Sequence, residues 1–138
     1  MKKLKIVPII IAALVNHGLG FAWYAFIFGE RWATLTGTPV HQADQPMLWP
    51  LLGAIIFNLL NATGIAMFFK LAGQSGFSAG LKLGAVVAVL FALPMHAAKW
   101  LWQGKLELFM IDGAIAIIGT LAMSVIISAW QKPESIEL

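Results

Sequence analysis

Residues 106–130 read LELFMIDGAIAIIGTLAMSVIISAW, with two acidic side chains, Glu107 and Asp112, and no basic one. As a helix rising 1.5 Å per residue, this stretch is roughly 37 Å long and spans the hydrocarbon core of a bilayer, which is about 30 Å thick. Working outward from it, three more stretches of the same character occupy residues 6–28, 47–69 and 79–102. Only helices and closed barrels satisfy every backbone polar group inside lipid. Barrel strands alternate apolar and polar residues over about ten positions, and runs such as 8–15 and 84–93 do not alternate. The chain is therefore predicted to be all-α, a single transmembrane domain over 1–138 built as an integral membrane four-helix bundle.

Composition agrees. Of the 138 residues, 60% are hydrophobic and 11% charged, against about 25% charged in an ordinary soluble domain. A water-soluble chain of this size has too little interior to hide that much apolar surface. There is no cysteine, which excludes disulfides and thiolate metal sites. The net charge of +3 is spread along the chain and forms no nucleic-acid patch.

The connections are short. Residues 29–46 read as a loop with turn chemistry at Thr36, Gly37, Thr38 and Pro39; residues 70–78 hold Gly73 and Gly76; Gly104 centres a tight hairpin turn. Short loops make consecutive helices antiparallel neighbours, so the expected order is up-down-up-down. Lys2, Lys3 and Lys5 resemble the start of a signal peptide, but the apolar stretch after them is too long and lacks a cleavage pattern, so it reads as a retained helix. Lys2, Lys3, Lys5, Lys70, Lys82 and Lys132 fall on one side, and Arg31, Lys99 and Lys105 on the other. Basic residues favour the cytoplasmic side, which predicts both termini in the cytoplasm. Trp23, Tyr24, Trp32, Trp49, Trp100 and Trp102 gather at the outer ends, and Trp130 at an inner one. Such rings anchor at the interface or stack into a ligand pocket.

Small residues recur every fourth position in the last two spans: Gly80, Gly84, Ala88, Ala92 and then His96 in one; Asp112, Ala116, Thr120, Ser124 and Ser128 in the other. They let helix backbones approach closely. Folded about Gly104, the two ribbons place His96 at the depth of Asp112, Ala92 at Ala116 and Gly84 at Ser124. A four-residue step drifts about 40°, roughly 160° over four steps, so a single neighbour is not expected to use a whole ribbon; part is left for the second span or another protomer.

Polar groups inside a span are costly and mark interhelical hydrogen bonds or function. One set is Asn16, His17, Asn58 and Asn61. His17 and Asn58 each lie eleven residues from the outer ends of their spans, so they meet near the midplane, and Asn58 and Asn61 share a face at i, i+3. This set is interhelical glue or a midplane site for a solute or a proton, since histidine changes charge near neutral pH. The second set is His96, Lys99 and Asp112. Asp112 sits about 9 Å inside its helix, and His96 or Lys99 is the expected partner. Pro94 frees a carbonyl nearby and bends the helix locally. This set is a structural pair or an outward-opening proton or ligand site.

No phosphate loop, dinucleotide fingerprint, paired-histidine zinc helix or nucleophile elbow occurs. Catalytic residues, metal ligands and cofactors are therefore not expected. His17 and His96 differ by about 7 Å in depth, too far for a two-histidine haem site.

The first span ends Gly20-x-x-Trp23-Tyr24-x-x-x-Phe28-Gly29-x-x-Trp32, followed by Leu35 and Gly37. The fourth begins Leu106-x-Leu108-Phe109-x-Ile111-Asp112-Gly113. With the four-helix plan, these motifs make the chain resemble the bacterial family called domain of unknown function 1761. The resemblance implies the fold and little else; the expected location is the bacterial inner membrane. The chain departs from the family pattern at Phe26, where a proline is usual, at Asp112, where Asn is frequent, and at Ile115 and Ala116, where an aromatic and a His are common. Two functions follow as expectations: a small-solute or proton-linked conduit acting as a homo-oligomer, or a non-catalytic accessory subunit of a larger membrane complex. Small multidrug exporters have similar size, but their first-helix Glu has no counterpart near His17. The expected partners are the lipid bilayer and a second copy or another membrane protein, with no nucleic acid.

Overall fold

The computed structural model describes residues 4–38 and 48–130. The termini and residues 39–47, which carry Lys2, Lys3, Lys132 and Pro39 from the sequence argument, lie outside the described residues. Among these residues five helices form: α1 (Ile6–Ile27), α2 (Gly29–Thr36), α3 (Leu48–Ala72), α4 (Phe77–Gln103) and α5 (Leu106–Trp130). Four of them, all but α2, are long and apolar enough to cross a membrane, and no strand occurs among the described residues.

The segment after α1 differs from the expected loop, because its first turns are the helix α2. Its end is chemical: Gly37 adopts a left-handed φ of 71°, and the Thr38 N–H reaches the Ala33 carbonyl at 3.1 Å, the six-to-one bond of a glycine C-cap. The turn at Gly104 is built the same way, with φ 69° and the Lys105 N–H donating to the Trp100 carbonyl at 2.9 Å.

The arrangement has α5 in the middle. Of its most apolar window 44% is buried, against 22% for α1 and 17% each for α3 and α4. It packs on α1, α3 and α4; α1 also packs on α3. Helices α3 and α4, consecutive and joined by four residues, do not form a packed pair. The expectation that a short loop makes neighbours fails there because both helices find a better surface on α5. Ile9, Ala12 and Ala13 of α1, Ala62, Ile65, Ala66 and Phe69 of α3, and Met123 and Ile127 of α5 form the apolar core. Large side chains such as Phe26, Leu71 and Trp102 point outward.

Helix α5 runs opposite to α1: Lys5 Nζ donates to the Trp130 carbonyl at 2.5 Å, while Trp23 Nε1 donates to the Ile111 carbonyl at 3.1 Å. Helix α4 also runs opposite to α5. A Cβ on Gly84 would lie 2.6 Å from Ser124 Cβ, one on Gly80 would lie 2.8 Å from Val125 Cα, and one on Gly113 would lie 2.9 Å from Leu93 Cδ1. Gly80, Gly84 and Ala88 are buried, while Ala92 and His96 are half-buried. The four-residue ribbon stays on α5 because α4 widens into a π turn over Ala88–Ala92, just ahead of Pro94. One extra residue in that turn returns about 100° of the accumulated drift. On α5, Thr120 and Ser124 are buried and Ala116 is half-buried.

Candidate functional site

A second π turn, Trp23–Ile27, ends α1. It is closed by the Phe28 N–H donating to the Trp23 carbonyl at 2.9 Å. The chain then enters α2 so tightly that a Cβ on Gly29 would overlap the Tyr24 carbonyl oxygen. This geometry turns Tyr24 and Trp32 toward the start of α5, their rings edge-to-face with centroids 5.8 Å apart.

There they meet Asp112, a carboxylate only 4% exposed. Tyr24 donates its hydroxyl to Oδ1 at 2.6 Å, Trp32 its indole N–H to Oδ1 at 3.1 Å, and Trp100 its indole N–H to Oδ2 at 2.6 Å. Three donors to one buried carboxylate replace the hydration it gives up. Lys99 Nζ sits 4.3 Å from the centroid of the Trp100 ring and Lys105 Nζ 5.6 Å. Trp100 thus presents its N–H to the anion and its face to two cations, the polarity an indole prefers. At the rim, Arg31 forks onto Glu107 with bonds of 2.5 and 2.7 Å, and this pairing raises the Arg31 guanidinium pKa further above its ordinary value.

The expected partners of Asp112 are therefore corrected. His96 makes no hydrogen bond to it; its Nδ1 is buried and has no partner among the described residues. Lys99 reaches Asp112 only across the Trp100 ring. The reason lies in side-chain direction. Cα–Cβ bonds tilt toward the helix N-terminus, so on antiparallel helices His96 and Asp112, level at their backbones, tip away from each other. Tyr24 and Trp100 start nearer the surface and tip inward to meet an Asp112 that tips outward. The aromatic belt also divides: Trp49 and Trp102 are 78% and 92% exposed, as anchors are, whereas Trp23, Tyr24, Trp32 and Trp100 spend their polar hydrogens on α5. Buried Tyr and Trp usually find an acceptor; counting those hydrogens is the signal that would have found this cluster in the sequence.

The other polar set lies along α1 and α3. Asn16 Nδ2 donates to Asn58 Oδ1 at 2.5 Å, and Asn58 Nδ2 lies 3.4 Å from His17 Nδ1. Because Asn58 uses its oxygen on Asn16, its amide hydrogen points at the histidine. His17 Nδ1 is then the acceptor and Nε2 carries the proton. Asn16 fits only because Gly119 has no side chain; a Cβ there would overlap the amide oxygen. His17 Nε2 has no hydrogen-bond partner among the described residues, and His17 lines a cavity of about 240 Å³ with Ile10, Ala13, Leu14, Ile55 and Leu59. The expectation that Asn61 joins Asn58 on this face is corrected: Asn61 is exposed and outside the network. Among the described residues no three His, Asp or Glu side chains are placed to hold a metal ion.

The two sequence motifs thus form one structure: Trp23, Tyr24 and Trp32 of the first bond to Ile111 and Asp112 of the second, and Gly29 permits the tight turn that aims them there. No curated protein and no solved structure matches the chain. The profile of the family described as protein of unknown function (DUF1761) matches residues 7–128, and the chain belongs to that family.

Proposed function

We propose that this protein is a four-pass protein of the bacterial inner membrane, folded up-down-up-down with both termini cytoplasmic, that works as a homo-oligomer and takes up a small solute at the bilayer midplane. Lysine excess on one side and tryptophan excess on the other support the orientation. The Asp112 cluster acts as a latch that fixes the outer end, since its carboxylate is already filled by three donors. His17 carries the binding role. Its Nε2 has no hydrogen-bond partner among the described residues and its ring lines an apolar cavity, a combination suited to a mostly apolar molecule with a single hydrogen-bond acceptor that arrives through the lipid.

Native mass spectrometry of the protein released gently from its own membranes tests this. The expected result is a small molecule retained by the wild type and lost from His17→Leu. Retention of a different, larger protein with no small molecule would overturn the proposal in favour of an accessory subunit.

A further inference from the structure

We infer that two copies of this chain pair through the flank of α3 that carries Asn61 and Gly64, with the two Asn61 amides hydrogen-bonded to each other. This rests on the proposal that α3 spans the bilayer in a homo-oligomer, and it names the surface that joins the copies. Asn61 is the fourteenth of the twenty-five residues of α3, about 20 Å from its start and so at the centre of the hydrocarbon layer. It is exposed, and no hydrogen bond forms on its side chain among the described residues. By contrast Asn16 and Asn58, at similar depth, are bonded to each other. An amide at the centre of a membrane-spanning helix needs a partner, because lipid supplies none.

The described residues leave room for one. Helix α3 does not form a packed pair with α4, and among the described residues Asn61 and Gly64 are left exposed. Phe57, Asn61 and Gly64, all exposed, follow at i, i+4 and i+7, a single helix face. Gly64 is exposed, and a Cβ there would meet nothing within 4 Å, so a second backbone can approach closely beside Asn61. A second copy is the occupant that the chemistry selects. A two-fold axis along the membrane normal makes the contact isologous and brings both Asn61 residues to the same depth. Each amide both donates and accepts, so the pair satisfies itself. An unrelated helix would have to supply a polar group at that one level.

The chain contains no cysteine, so a single introduced thiol reports contacts cleanly. In native membranes under oxidation, Gly64→Cys is expected to give disulfide-linked dimers. Val89→Cys, exposed on α4, is expected to give none. Adding Asn61→Leu to Gly64→Cys should cut the dimer at least fivefold, and Asn61→Gln should largely restore it. Gly64→Cys linking no better than Val89→Cys would overturn the inference, as would indifference to Asn61→Leu. Single-molecule photobleaching of the labelled wild type in liposomes separates the two levels. Two copies without a Gly64 link would sink this surface and leave the homo-oligomer standing; one copy would sink both.

Discussion

Replacing Asp112 with Leu removes the acceptor of three hydrogen bonds and leaves the Tyr24 hydroxyl and the Trp32 and Trp100 N–H groups pointing at hydrocarbon. Interhelical hydrogen bonds in membrane proteins average roughly 0.6 kcal/mol and reach about 1.7; those to charged groups in general contribute about 1.5–3. At about 1 kcal/mol each, the three bonds together give a loss of about 3 kcal/mol for Asp112→Leu, more than a hundredfold in the folding equilibrium. Asp112→Asn keeps the oxygen that serves Tyr24 and Trp32 but turns an amide N–H₂ toward the Trp100 donor, so it should lose about 1–2 kcal/mol. Tyr24→Phe deletes one donor of three and should cost about 1 kcal/mol. Unfolding in graded mixtures of mild detergent and dodecyl sulfate, followed by circular dichroism, measures all three. In a double-mutant cycle, Tyr24→Phe should have little effect once Asp112 is Leu. Additive effects, or an Asp112→Leu variant as stable as the wild type, would refute the claim that this carboxylate organises the end of the bundle.

Gly29→Ala should cost roughly 1–3 kcal/mol, the scale of local backbone strain, because the clashing atom is the Tyr24 backbone oxygen. Gly18→Ala, with nothing within 4 Å of its Cβ, should be neutral or slightly stabilising in the same assay. Gly119→Ala pushes on the flexible end of Asn16 and should leave stability within about 1 kcal/mol while displacing the amide from Asn58, visible as a shift of the Asn16 side-chain resonances. Tags at either terminus should be reachable only from the cytoplasmic side in intact cells; labelling of one terminus from each side would contradict the up-down-up-down order.

The spans were legible because lipid imposes a length and a composition: 106–130 matches α5, and the other three boundaries move by a few residues. The first turns after α1 were not, because residues 29–36 are too polar and too few to carry a membrane signal. Neither π turn has a propensity signature. Each inserts one residue where packing requires it, beside Gly29 in one case and ahead of Pro94 in the other. The contact of Gly84 with Ser124 followed from counting residues about Gly104. The partners of Asp112 did not, since depth counting locates backbones and ignores the tilt of side chains. It also favoured charged partners, whereas indole and phenol hydrogens fill the site. His17 and Asn58 come within 3.4 Å of each other, in line with their counted depths; that Asn16 takes the Asn58 oxygen was not counted, and Asn61, at nearly the same level, faces outward because α3 has described neighbours on two sides only.

The state of the His17 ring tests the proposed midplane site most directly. Nitrogen-15 spectra of histidine-labelled protein in bilayers, assigned with His17→Gln, distinguish the two ring nitrogens. Nδ1 accepting from Asn58, with the proton on Nε2, is the predicted result, and the Nε2 signal should move when a lipophilic carbonyl compound is added. A proton on Nδ1, or an Nε2 signal indifferent to every such compound, would contradict it.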